Sequence, residues 1–432
     1  MVGLVFTEAA SRLLAFAFYL LAARVLSTKG YGEVQYTITL ATLAFGVIQV
    51  LAIVLPRELG ASRAAGSARV DQVLSTGLLL AIVAWALTVA LAGMAAATGL
   101  TGAAQPAGLI AVISGLAVFQ LYYSVARGLG RFKRAAFTYA GASAVQLAAF
   151  ALAIVLVHPG ATGALMIFSA SSFVPVVLLE IRYPIFRHLR MRAPADLRNT
   201  MLRAGGVLLV AQLAYLVWYS ADLIWVEGTL GASAVGLYGA AKTLSQLFVV
   251  LPAGINGVLM PRVAELRVAR DPKHANKLVV GASVILLIAS LVVAALIVVA
   301  RVPLLDLLFG SRYGGAADAL VGVTVAMVLF GVFMTLTQSA IGWGRPHLYS
   351  VTIAVAAMVE VAGLIVLPGR SIEFAAWVDA GSMAVATVVV AGWLLLRPFT
   401  VSAEGSPRDG RGRRRRNFPL QPEIPGGAFG ER

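Results

Sequence analysis

The chain has 432 residues, 60% of them apolar and 12% charged, about half the ~25% charged share of a soluble globular domain. That composition excludes an ordinary water-soluble enzyme, and the lack of cysteine excludes disulfides, thiolate catalysis and cysteine-held metals. No cofactor or metal is expected, because His158, His188, His274 and His347 lie far apart, and the net charge of +15 needs another reading than nucleic acid, which would require a basic face on a soluble domain.

A membrane-crossing helix needs ~20 mainly apolar residues. The apolar runs predict twelve such spans, over 4–24, 33–56, 73–97, 106–126, 135–157, 162–181, 204–227, 234–260, 278–300, 317–341, 348–367 and 374–396. Backbone groups in lipid must be satisfied within helices, so the expected fold is an all-α polytopic membrane protein. Span 1 lacks a basic leader and is too long for a signal peptide, so it belongs to the mature chain.

Taken in order, span 1 carries Glu8 and Arg12, four apart on one face. They read either as a structural pair with Arg12 snorkelling or as part of a cavity. Spans 2, 4, 5 and 10 carry polar stripes: Thr39, Thr42 and Gln49; Gln120 and Ser124; Tyr139, Ser143 and Gln146; Thr335, Gln338 and Ser339. Each alone fits a helix–helix hydrogen bond worth ~1 kcal/mol; together, in both halves, they favour a wet groove. Span 7 holds Asp222 among Tyr215, Trp218, Tyr219 and Trp225. Such a stripe suits sugar rings and hydroxyls, although Trp and Tyr also form interface belts. Lys242 sits ~12 Å into span 8 at 1.5 Å per residue, its face extended by Ser245 and Gln246. Charges at such depth face the bundle interior, so Lys242 is expected to line a hydrated cavity or to be partnered by Asp222. Glu360 in span 11 and Asp379 in span 12 join Asp222 as carriers of a coupling proton or sodium ion.

With twelve spans, 27 of the 34 basic residues fall on the side shared by both termini and only five on the other, Arg12 and Lys242 lying within spans. The positive-inside rule then makes both termini cytoplasmic in a plasma-membrane protein. Arg24 and Lys29, after span 1, dissent locally. From Arg397 the chain is rich in Pro, Gly and Arg and is expected to be disordered. Its Arg413, Arg414, Arg415 and Arg416 either bind anionic lipid, at ~1 kcal/mol per charge, or merely anchor the topology.

An internal repeat runs through the spans. Leu26 and Gly32 match Leu230 and Gly236, Pro56-Arg57 matches Pro261-Arg262, and Gly128-Leu129-Gly130-Arg131 matches Gly342-Trp343-Gly344-Arg345. Six spans per repeat give both halves one orientation, related by an axis along the membrane normal. The predicted organisation is an N-terminal lobe over 1–186, a basic cytoplasmic loop over 187–203, a second lobe over 204–397 and a tail over 398–432.

The junctions carry a resemblance. Ala23-Arg24-Val25-Leu26 running into Gly30-Tyr31-Gly32, and Asp222, Gly231, Val235-Gly236-Leu237-Tyr238, Ala241-Lys242 and Pro261-Arg262, are similar to the polysaccharide and O-antigen flippases of the multidrug/oligosaccharidyl-lipid/polysaccharide exporter superfamily. The resemblance covers residues 1–397. It implies two lobes, alternating access, and movement of a polyprenyl-pyrophosphate-linked oligosaccharide from the cytoplasmic to the outer leaflet for cell-surface polysaccharide biosynthesis, beside membrane lipids and a polysaccharide polymerase or glycosyltransferases. It also nominates Lys242 for the pyrophosphate, while Arg12 rests on burial alone. Gln246 and Gln146 complete the expected cavity. The alternatives are a drug/cation antiporter of the same superfamily, which a basic cavity disfavours, and a membrane glycosyltransferase or polymerase. The latter needs catalytic carboxylates beside a sizeable external loop, whereas the longest, roughly 301–316, offers only Asp306.

Overall fold

The computed structural model describes residues 2–63, 66–182, 184 and 194–400. Its helices are α1 Val2–Val25, α2 Thr28–Arg63, α3 Ser67–Ala97, α4 Pro106–Gly128, α5 Phe132–Leu156, α6 Ala161–Arg182, α7 Ala195–Leu230, α8 Ala232–Ser245, α9 Val250–Val268, α10 Pro272–Val299, α11 Arg301–Leu308, α12 Ala317–Gly342, α13 His347–Val366 and α14 Ile372–Leu396. No strand occurs among the described residues. Eleven helical stretches are long and apolar enough to cross a membrane, and the 24 residues of α1 fill the first expected span.

The boundaries differ from expectation in four places, each for a physical reason. Residues 195–203, expected in the loop between lobes, are the first turns of α7, which starts after Pro194 and has Asp196 in its first turn, where a carboxylate complements the helix dipole. Span 8 is broken by a 3-10 turn at Gln246–Val249. Pro252 cannot donate to the Phe248 carbonyl and its ring crowds that turn, so α8 and α9 are two segments of one crossing. The long external loop contains α11 and a further 3-10 turn, Ser311–Ala316. Finally, the tail does not leave the fold at Arg397. Phe399 is buried against Trp343, ring centroids 4.9 Å apart, Asn276 exchanges two hydrogen bonds with its backbone, and Arg345 donates to the Arg397 carbonyl at 2.8 Å. Arg413 to Arg416, and most of the basic loop before Pro194, lie outside the described residues.

The helices pack as two groups. In the first, α1 lies on α5, α2 on α4 and α4 on α6; in the second, α7 lies on α13, α9 on α12 and α12 on α14, with α2 crossing to both α7 and α8. The repeated motifs hold equivalent joints. α4 and α12 end in the same way: the Leu129 and Trp343 amides bond the carbonyls four residues back, Arg131 and Arg345 those five back, and Gly130 and Gly344 take positive φ of 72° and 86°, the left-handed cap that glycine permits. Just before each cap, Gly128 packs on Pro56 and Leu59 of α2, and Gly342 on Met260 and Val263 of α9.

The starts of α2 and α8 touch by a reciprocal contact. A Cβ on Gly32 would collide with the Ala232 carbonyl oxygen, and one on Gly236 with that of Thr28. Each collision is the other displaced by the 204-residue offset. The same end of the bundle is tied by Arg24, which donates to the carbonyls of Leu307 and, at 2.9 Å, Leu308. Arg312 and Tyr313 donate to the Ala23 carbonyl at 2.7 and 3.0 Å. Arg24, out of place in the charge count, therefore has a structural task. Tyr31, Gln35 and Thr243 continue the seam between α2 and α8, with Gln35 Nε2 2.6 Å from the Tyr31 hydroxyl and 2.9 Å from that of Thr243.

Gly32→Val or Gly236→Val is expected to force α2 and α8 apart and lower stability by at least the ~1–3 kcal/mol of overpacking. Gly254→Ala, whose new methyl meets open space, should leave the melting temperature in detergent unchanged or raised. Thermal unfolding of the three variants checks the contrast.

Candidate functional site

Lys242 lies in the last turn of α8, 4% exposed, with Asp222 of α7 fully buried beside it. Its ammonium donates to Asp222 Oδ1 and Oδ2 at 2.8 and 2.7 Å and to the Tyr219 carbonyl at 2.5 Å, and sits 4.6 Å from the Tyr219 ring centroid. All three protons are used. Asp222 also accepts from the Leu223 amide and the Tyr238 hydroxyl, each at 2.7 Å. Of the two expectations for Lys242, the structure has it partnered by Asp222 rather than lining an open hydrated cavity. Removing one partner of such a pair strands the other charge, at ~3–5 kcal/mol.

Two more acids face this pair. Glu360 on α13 is fully buried with no side-chain hydrogen-bond partner, its carboxyl lying against the Asp222 main chain; Asp379 on α14 is 2% exposed with Oδ1 unpartnered. Both interact electrostatically with Asp222 and Lys242. Trp218 donates from its indole to the Ser382 hydroxyl at 3.2 Å beside Asp379. Four segments of the chain, far apart in sequence, thus bring three carboxyls and one ammonium into one interior. Among the described residues no cluster of His, Asp and Glu could hold a metal ion.

A second set of residues lies between the two groups of helices. Tyr215 and Tyr219 on α7, and Tyr19 on α1, are partly buried and pack against the main core. Tyr19 interacts electrostatically with Tyr219 and with Tyr139 of α5. Arg12, expected from its depth to be buried, is exposed instead, within electrostatic reach of Tyr215 and Tyr219. Gln246 donates to the Tyr219 hydroxyl at 2.7 Å. Gln146, two turns from Tyr139, is buried with its amide nitrogen unpartnered. The aromatic stripe of span 7 is not an interface belt as a whole: Trp218 is 1% exposed and stacks on Phe330, centroids 4.9 Å apart.

Several expected groove residues are spent elsewhere. Thr42, Thr335 and Ser339 donate to the carbonyl one turn back in their own helices, a local bond that competes with any ligand. Glu8 lies outside the residues whose side chains are described. Two features were missed by the sequence reading. The Tyr31–Gln35–Thr243 seam was signalled only by Tyr31 and Gln35 falling four apart, and the break in span 8 by Pro252.

Comparison with known proteins fits this arrangement. The family described as polysaccharide biosynthesis protein matches over residues 4–267, more than half of the chain. The chain belongs to that family. The MatE family matches over 208–366, and no curated protein matches in sequence. Among solved structures, an inward-facing multidrug resistance MATE transporter of the MOP superfamily aligns with TM-score 0.76 at 15% identity, covering 90% of this chain and 94% of that one. The lipid II flippase MurJ, in an inward closed conformation, aligns with TM-score 0.75 at 12% identity, covering 91% and 88%. An outward-facing MATE transporter gives TM-score 0.65 at 16% identity, covering 91% and 93%. At such identities the likeness is one of fold. Family and fold together make this a multi-pass membrane transporter of the MOP superfamily.

Asp222→Asn should destabilise the protein by ~3–5 kcal/mol through the stranded Lys242, while the double change Asp222→Leu with Lys242→Met should recover most of that loss. Unfolding of the set in detergent measures it.

Proposed function

We propose that this transporter flips a polyprenyl-pyrophosphate-linked oligosaccharide from the cytoplasmic to the outer leaflet of the plasma membrane, with both termini cytoplasmic, for cell-surface polysaccharide biosynthesis. The supporting observation is the wall between the lobes: Arg12 and the tyrosines 19, 139, 215 and 219, with Gln246. Tyrosine rings stack on sugars while their hydroxyls and the amides bond the sugar hydroxyls, and a guanidinium matches a phosphate. An unsatisfied hydroxyl taken into hydrocarbon costs ~4–8 kcal/mol, so a headgroup of several sugars needs such a wall while its polyprenyl tail stays in lipid. The contacts at the α1–α2 end close that side, and rocking of the lobes, 1–186 and 204–397, would open it. Lys242 meets pyrophosphate only in a state where its bond to Asp222 opens.

An inside-negative potential favours outward movement of an anionic headgroup by ~2.3 kcal/mol per charge per 100 mV. The carboxyls of Asp222, Glu360 and Asp379 outnumber the single ammonium; protons balance the cluster, and their uptake and release is the proposed coupling. The same acid cluster favours a second reading, the drug/cation antiporter, in which it meets an organic cation. The basic tail, polymerase and glycosyltransferase partners belong to the first reading.

In proteoliposomes carrying a labelled lipid-linked oligosaccharide, Arg12→Ala should slow leaflet exchange roughly ten- to a hundredfold, the worth of one charged hydrogen bond at ~1.5–3 kcal/mol, with unchanged unfolding. Glu360→Gln and Asp379→Asn should abolish acceleration by a proton gradient. Wild-type exchange by Arg12→Ala would overturn the flippase reading, and gradient-driven efflux of a small organic cation would establish the antiporter.

A further inference from the structure

Away from the space between the lobes, α9 and α10 enclose a groove of about 740 Å³ lined by Arg262 and Leu266 on one side and by His274, Lys277, Leu278, Gly281, Ala282 and Ile285 on the other. The α10 residues recur at helical spacing along one face. Polarity changes along that face: His274 and Lys277 near the helix start, then only apolar side chains and a glycine, ~12 Å from Lys277 to Ile285 at 1.5 Å per residue. Because α10 is a membrane-crossing helix, the basic mouth stands where the helix leaves the apolar layer and the floor lies inside it.

The charges at the mouth are available. Lys277 is exposed and has neither an ion pair nor a hydrogen bond among the described residues. Arg262 pairs with Glu265, but both are more than 60% exposed, and an exposed pair of this kind is worth little and is easily redirected. Asp271, the one acid in the lining, caps α10: its carboxylate accepts from the His274 amide at 3.1 Å. That bond, then the His274 side chain, holds its carboxyl below the usual range, so its charge is engaged by the helix end. At the floor, a Cβ on Gly281 would meet nothing, so the space beside it is free.

We infer that this groove binds one anionic phospholipid, its phosphate between Arg262 and Lys277 and an acyl chain along Leu278, Gly281, Ala282 and Ile285. The arrangement is amphipathic in the same sense and order as the lipid: charge at the mouth, hydrocarbon below. The chain's own tail is disfavoured by sign, since its seven arginines outnumber its four acids over 401–432 and repeat the charge of the mouth. This site is separate from the flippase reading and stands whichever substrate crosses.

The test is native mass spectrometry of the purified full chain, delipidated in detergent and titrated with phosphatidylglycerol or with phosphatidylcholine of the same acyl chains. Wild type is expected to retain one phosphatidylglycerol at least tenfold more tightly than phosphatidylcholine. Arg262→Gln with Lys277→Gln, both at exposed positions, should weaken phosphatidylglycerol roughly thirtyfold, to the level of phosphatidylcholine. Gly281→Leu, which fills the floor and keeps both charges, should weaken both lipids and so tests the site even if the charge variant misfolds. Equal affinity of wild type for the two lipids, or undiminished binding by both variants, overturns the proposal. Displacement of phosphatidylglycerol by millimolar inorganic phosphate also overturns it, in favour of a soluble anion.

Discussion

The two lobes meet where α2 and α8 begin, and that contact exists because neither Gly32 nor Gly236 has a side chain. Backbone oxygens of one helix fill the place of a Cβ on the other. In lipid, where apolar burial gives little drive for association, close backbone approach through small residues is a principal source of helix–helix affinity. The tyrosine wall, the Tyr31–Gln35–Thr243 seam and the arginine ties all depend on the separation of the helices that this contact sets.

The electrostatics of the second lobe are arranged around a different problem. A buried ammonium is tolerable only when its protons are satisfied, and Lys242 spends all three on Asp222 and Tyr219. Glu360 has no side-chain donor of its own. The lobe therefore contains one charge pair that is fully bonded and acids around it that are not. An imbalance of this kind makes uptake of a small cation a matter of interior charge accounting, independent of what occupies the space between the lobes.

Most of the fold was legible in the sequence because the bilayer imposes a length and a polarity on every crossing. All twelve apolar runs became helices, and the paired motifs became paired joints, Gly128 on Pro56 and Leu59 matching Gly342 on Met260 and Val263. The site was only partly legible. Depth along a span says that Lys242 is inside the membrane and says nothing of which way it points. A rotation of one helix by half a turn decides between a water-filled space and the Asp222 carboxylate. The same ambiguity misplaced Thr335 and Ser339, whose hydroxyls turn back on their own helix. Residues on one helix face can be found from spacing, but pairing across helices needs the packing itself.

The ties at the α1–α2 end have a further property. Arg24 and Arg312 do not reach for carboxylates; they donate to main-chain oxygens of Leu307, Leu308, Ala23 and Arg24. Every residue carries such an oxygen, so replacing the side chains at those acceptor positions leaves the fastening intact. Peptide carbonyls also do not titrate. The arginine ties are accordingly of the same strength in acidic and neutral surroundings, unlike the bond at the same end in which the Glu227 carboxylate accepts from the Ala103 amide across the two groups of helices.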